Sequence, residues 1–194
     1  MRLWLFHPLV FYPLAALIAA LVIAISMQPL AWPRDAAPVT AARADAAWVL
    51  EGEALGSPAA DARQNVTAHR GFWGRTRSLS VAQLPNQPPP GPQDSGVRIL
   101  LAPDAAAALA GRRVIAEVSY VPLPINPASE LALSLQAGAE ANWVSQPIEP
   151  QAGVARFELR APPGTQALGL RAVSDGTDQA YGVEITRIVL LPHA

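Results

Sequence analysis

Residues 69 to 77 read His-Arg-Gly-Phe-Trp-Gly-Arg-Thr-Arg. Arg70, Arg75, Arg77 and His69 surround two adjacent large aromatics, Phe72 and Trp73, and Gly71 and Gly74 free the loop on either side. A guanidinium fork matches phosphate or carboxylate geometry, and aromatic faces suit sugar or acyl surfaces. The group therefore reads as a contact for an anionic glycan, a lipid headgroup or an acidic partner surface. The plainer alternative is that one ring plugs the core while the arginines solvate a loop.

Catalytic chemistry is sparse. Cys is absent, which excludes disulfides, thiolate metal sites and a Cys nucleophile. Of three His, His7 lies in an apolar run and His193 is next to last, so a Ser-His-Asp arrangement would have to use His69. There is no Gly-x-Ser-x-Gly turn, no His-Glu-x-x-His and no phosphate-cradling Gly-Lys loop. No catalytic residue is assigned, and a hydrolase ranks below any binding role. Carboxylate pairs for glycoside hydrolysis meet only in a fold and are not readable from spacing. The net charge of −1, from 14 arginines against 15 acids, argues against nucleic acid.

What must position these groups begins with a membrane-type segment. Leu3 to Met27 carries no Arg, Lys, Asp or Glu, and Leu9 to Gln28 alone is 20 residues. That is about 30 Å of helix, the thickness of a bilayer's hydrocarbon core. Trp4, Phe6, Phe11 and Tyr12 at one end and Trp32 at the other read as interfacial belts, about 42 Å apart from Trp4 to Trp32. Ala24-Ile25-Ser26 offers a small-x-small cleavage site, but the apolar run exceeds a signal peptide's core, so an uncleaved signal anchor is favoured. Ala16, Ala20 and Ala24 repeat every fourth residue, a spacing that lets two helices pack closely. Arg2 on one side is nearly balanced by Arg34 and Arg43 on the other. A short tail before a long domain then favours a cytoplasmic N-terminus and a periplasmic domain. Abundant Ala, Arg, Gly and Pro without any Lys fits a GC-rich bacterial genome.

Three segments follow: a transmembrane anchor over 1–32, an Ala/Pro-rich linker over 33–47, and a globular domain over 48–194. The domain alternates with period two. Ala155, Phe157 and Leu159 interleave with Arg156, Glu158 and Arg160, and Leu131, Leu133 and Leu135 do the same. Tyr181 to Leu191 keeps that period through Ile185 and then turns apolar on both faces, which predicts a bulge near Thr186-Arg187 or burial on both sides. Pro103-Asp104 before an alanine run that ends at Gly111 predicts one short helix. Pro85 to Gly96 reads as a stiff, polyproline-like connection. The expectation is an all-β, two-sheet antiparallel sandwich of about nine or ten strands.

From Leu109 to Pro192 the order of features resembles the galactose-binding-like, carbohydrate-binding-module type of jelly roll. Leu109 to Val114 opens a long strand, then come Leu131 to Leu135, Asn142-Trp143-Val144, and Ala155 to Leu159 before Ala161-Pro162-Pro163-Gly164. Leu168-Gly169-Leu170-Arg171 and Tyr181 to Ile185 close the series. The resemblance covers a little under half the chain. It implies a domain that binds sugars, binds proteins or acts as a spacer. It would place a glycan on exposed aromatics, here Phe72 and Trp73, with Tyr120 and Phe157 in the core and Trp143 buried at a strand start. It would place a structural calcium on the first and last strands and a nearby turn, here Glu51, Glu53, Glu184, Asp175 and Asp178. The alternative there is a solvated turn with cross-strand charge pairs to arginine.

The function expected first is a non-enzymatic interaction or accessory subunit of an envelope or inner-membrane assembly, with a membrane or envelope protein as partner. The alternative is a membrane-tethered carbohydrate-binding module for an envelope or extracellular polysaccharide. No cofactor is expected beyond the calcium that the resemblance allows.

Overall fold

The computed structural model describes residues 7–27, 34–88, 91–138, 140–176 and 178–193. Arg2, Trp4, Phe6, Trp32 and the two prolines at 89 and 90 lie outside these residues. Helix α1 (Pro8–Met27) is apolar around its whole circumference, with a mean hydropathy of 2.5 over Pro8–Ser26 and none of that window buried. It is long and apolar enough to cross a membrane, and a signal sequence would meet the same description. Pro13 sits inside it.

The remaining chain is an all-β sandwich of two antiparallel sheets. The larger sheet contains β1 (Ala42–Ala44), β2 (Ala47–Glu51), β3 (Gln64–Arg70), β4 (Thr76–Gln83), β6 (Arg113–Pro122), β10 (Gly153–Arg160) and β12 (Tyr181–His193). The smaller contains β5 (Val97–Leu100), β7 (Glu130–Ala137), β8 (Glu140–Ala141), β9 (Val144–Pro147) and β11 (Ala167–Val173). A short helix, α2 (Pro103–Leu109), starts with proline in its first turn and buries Ala105, Ala106 and Leu109.

Strand β12 organises the larger sheet. Along one edge it pairs with β6, which pairs in turn with β10. Along the other it pairs with β4 over Tyr181–Ile185 and with β2 over Arg187–Leu190. The register shifts between Ile185 and Arg187, which puts the bulge at the Thr186-Arg187 step the sequence marks. The extra residue lets both Ile185 and Ile188 face the core. Strands β1, β8 and β9 add to the nine or ten expected, and at three, two and four residues they are too short to show a period.

The core forms from the alternating apolar positions. Phe157 projects from β10 opposite Ala116 of β6, and the small partner makes room for the ring. Each fully buried side chain of this size contributes roughly 1.5–3 kcal/mol. Two buried glutamines stitch the sheets together. The Gln64 amide donates to the Ala172 carbonyl (3.3 Å) and accepts from its N–H (3.1 Å), and Gln83 accepts from Ser174 N–H (3.3 Å). Within the segment read as linker, Val39 and Ala41 are buried, and Val39 bridges to Leu101.

The chain is pinned where it enters the domain. Glu53 accepts from the Thr76 N–H (2.8 Å) and pairs with Arg34 (2.7 Å). The Thr76 hydrogen bond holds its carboxyl below the usual range; partial burial opposes this, and Arg34 and then Arg70 reinforce it. Because the folded-state value is depressed, this stabilisation is complete above the unfolded carboxylate range and is lost as pH falls through the folded value. The stability gap between the wild type and Glu53→Gln is therefore expected to shrink as pH drops from neutrality to about 3, read from urea midpoints.

Candidate functional site

The aromatic–arginine group forms the tip of the β3–β4 hairpin. Gly71 N–H donates to the Arg75 carbonyl (2.8 Å), and Gly74 N–H donates to the Gly71 carbonyl (2.8 Å). Gly74 adopts a left-handed φ of 74°, which a side chain disfavours. This tight loop turns both rings outward: Phe72 is 64% exposed and Trp73 79%. They meet edge to face, with centroids 5.0 Å apart and planes at 86°. Neither plugs the core. Arg75 and Arg77 are exposed, and neither forms an ion pair among the described residues. Arg70 turns back, donates to the Gly56 carbonyl and is half-buried, so burial disfavours its charged form.

Behind the tip, His69 Nε2 lies 3.0 Å from Ser80 Oγ. A nucleophile–base pair needs a third group to orient the base. The nearby carboxylate, Glu184, instead accepts from Ser78 Oγ.

The acids that the resemblance assigns to calcium are not gathered. Glu51 pairs with Arg187 (3.3 Å), Glu53 with Arg34, Glu184 with Ser78, and Asp178 accepts from the Tyr181 hydroxyl (3.0 Å). Asp175 is exposed on its turn. Among the described residues no three His, Cys, Asp or Glu are placed to share a metal ion. Ala16, Ala20 and Ala24 lie exposed along α1.

A second polar surface escaped the sequence reading. The outward positions of the smaller sheet, Arg98, Ser134, Gln136 and Arg171, alternate with its core residues and look solvent-facing in sequence. Instead Ser134, Gln136 and Arg171 are buried, and residues 91 to 96 cross over Gln136 and Arg171 as a strap. Asp94 ties this strap down: its carboxylate accepts from Arg63 (2.5 Å) and from Gly91 N–H (2.7 Å). The Asp94 carbonyl accepts from Trp143 Nε1 (3.2 Å) and from Arg171, and the Ser95 carbonyl accepts from the Gln136 amide (2.7 Å).

Trp143 is half-buried rather than in the core, and the Arg171 guanidinium stacks 3.8 Å from its ring centre. Burial disfavours charge on Arg171, while Asp94 and Asp61 partly restore it. Arg98 and Ser134 flank Gly169 on either side of β11. Three polar atoms here, Arg98 Nε, Ser134 Oγ and Gln136 Oε1, are buried without a hydrogen-bond partner among the described residues. The sequence signal that could have found the site is the run of polar residues alternating out of apolar strands around one glycine.

No family model and no curated protein matches the sequence. Solved structures of similar fold include BiXyn10A CBM1 in its apo form, at 8% identity over 71% of this chain and 88% of that one, TM-score 0.44. The CBM22-1–CBM22-2 tandem of Paenibacillus barcinonensis Xyn10C is similar at 13% identity, covering 78% of this chain and 47% of that one, TM-score 0.45. The Clostridium thermocellum Xyn10B CBM22-1–GH10 modules with xylohexaose align at 13% identity over 68% of this chain and 25% of theirs, TM-score 0.39. This chain thus spans about half and a quarter of the latter two.

Proposed function

We propose that this chain is a non-catalytic, membrane-tethered binding module whose ligand is a polysaccharide, taken on the outer face of the smaller sheet. The supporting observation is the set of buried, partnerless polar atoms on Arg98, Ser134 and Gln136 beside the Trp143–Arg171 stack. A buried donor or acceptor without a partner carries a desolvation cost of about 1–3 kcal/mol. A hydroxyl-rich ligand offers donors and acceptors to all three, and an aromatic ring offers a face for the sugar's C–H surface. The Asp94 and Ser95 carbonyls occupy donors on Trp143, Arg171 and Gln136 that a sugar's oxygens would otherwise meet. Binding therefore exchanges the strap's acceptors for the ligand's.

The test is titration of the full chain in detergent with soluble neutral and anionic polysaccharides, followed by tryptophan fluorescence. A saturable change that disappears in Trp143→Phe is expected for at least one polymer. The double variant Ser134→Ala/Gln136→Ala is expected to weaken binding about tenfold, the loss of one to two net hydrogen bonds. No binding by the folded wild type, or unchanged affinity in the double variant, would overturn the reading.

A further inference from the structure

The exposed hairpin tip lies outside this polysaccharide reading and has a geometry of its own. Helix α1 ends at Met27, and Arg34 follows seven residues later. Seven extended residues span at most about 25 Å. Arg34 is fixed to the tip: it donates to the Gly74 carbonyl (3.4 Å) and pairs with Glu53 (2.7 Å). The residue next to Trp73 is therefore leashed to the end of the apolar helix. Wherever α1 enters a bilayer, the tip stays within reach of that bilayer's surface.

The tip has the composition of a membrane-interface contact. Trp and Phe partition to the interfacial zone, and arginines beside them attract anionic headgroups. An edge-to-face pair at 86° offers no coplanar platform for successive sugar rings, but it forms a compact apolar wedge. Strand β4 runs antiparallel to β12, so the tip points toward the C-terminal end of β12. At that same end Arg160, Arg113 and His193 stand directly opposite one another across β10, β6 and β12. The like charges of Arg160 and Arg113, placed opposite each other, repel, and neither is in an ion pair among the described residues. An anionic surface would relieve that repulsion.

We propose that the β3–β4 tip is a membrane foot: Phe72 and Trp73 enter the interfacial zone of the bilayer that α1 occupies, and Arg75 and Arg77 meet its anionic headgroups. This rests on α1 as a membrane span, and it is independent of the polysaccharide face.

The absence of cysteine makes the test clean. Single-cysteine variants of the full chain, reconstituted into nanodiscs containing phosphatidylglycerol, carry the fluorophore NBD at Phe72→Cys, Ile125→Cys or Leu17→Cys. Ile125 is 75% exposed and sits beside the Pro127–Gly182 bridge, at the opposite end of β12. Nitroxide-bearing lipids are expected to quench the probe at 72 at least threefold more than the probe at 125. That quenching is expected to fall by half or more in Arg75→Glu/Arg77→Glu and in discs of phosphatidylcholine alone. Equal quenching at 72 and 125, with the probe at 17 strongly quenched, would overturn the foot and leave the span intact. An unquenched probe at 17 would overturn both. A response of the probe at 72 to soluble polysaccharide and not to lipid would assign the tip to a glycan and overturn the foot.

Discussion

Phe157→Ala is expected to destabilise the domain by about 3–5 kcal/mol, the range for removing a fully buried aromatic ring. Phe157 is completely buried, and its cross-strand neighbour is Ala116, whose methyl group cannot grow into the space left behind. The ring comes from β10, which is in unbroken register with β6 from Gly153 to Arg160, so its backbone is held in place while a cavity forms. A loss of this size is a large fraction of the 5–15 kcal/mol typical of a domain. Urea denaturation followed by far-ultraviolet circular dichroism would measure it. A loss below about 1 kcal/mol would mean that β10 collapses onto the void and that the packing is looser than described.

Gly96→Ala is the second large effect, and it reaches the outer face of the smaller sheet, where we propose that polysaccharide binds. Gly96 has a φ of 63°, in the left-handed region, where a side chain costs about 1–2 kcal/mol. A Cβ there would also lie 2.8 Å from the Leu170 carbonyl oxygen and 2.8 Å from Trp143 Cη2. The first of these is backbone and cannot swing aside; overpacking of this kind adds about 1–3 kcal/mol. Residues 91–96 belong to no strand or helix, so the strain is expected to be relieved by lifting them off the smaller sheet rather than by unfolding the sandwich. Faster amide exchange over residues 91–96 and a red-shifted Trp143 emission are therefore expected, together with a lowered denaturation midpoint. Unchanged exchange in the strap would contradict the close approach at Gly96.

The sandwich was legible where one face of a strand is wet. Ala155, Phe157 and Leu159 against Arg156, Glu158 and Arg160 gave β10 its residues and its facing at once. The bulge was legible as one of two readings, since an apolar run on both faces either changes register or is buried on both sides, and the register shift decides for the first. On the smaller sheet the same patterning says less: Gln136 and Arg171 carry the chemistry of a wet face but lie beneath a strap whose carbonyls replace water. Period-two patterning reports the polarity of a face and not what covers it. The cover comes from Asp94, distant in sequence from Gln136 and Arg171, so no local pattern announces it. The Phe72–Trp73 group was visible as composition, but only the Gly71–Arg75 turn decided that both rings face outward.

Strand β12 gives the molecule a fixed order of events. Synthesis delivers residues 181–193 after every other described strand, yet β2, β4 and β6 all need β12 as a neighbour. Until it emerges, β1–β2 and β3–β4 exist only as isolated hairpins, which are marginal in water. The larger sheet therefore closes in one late step, after every other described strand has been synthesised. Until then β2, β4 and β6 present unpaired edges, open to proteases and to other unpaired strands.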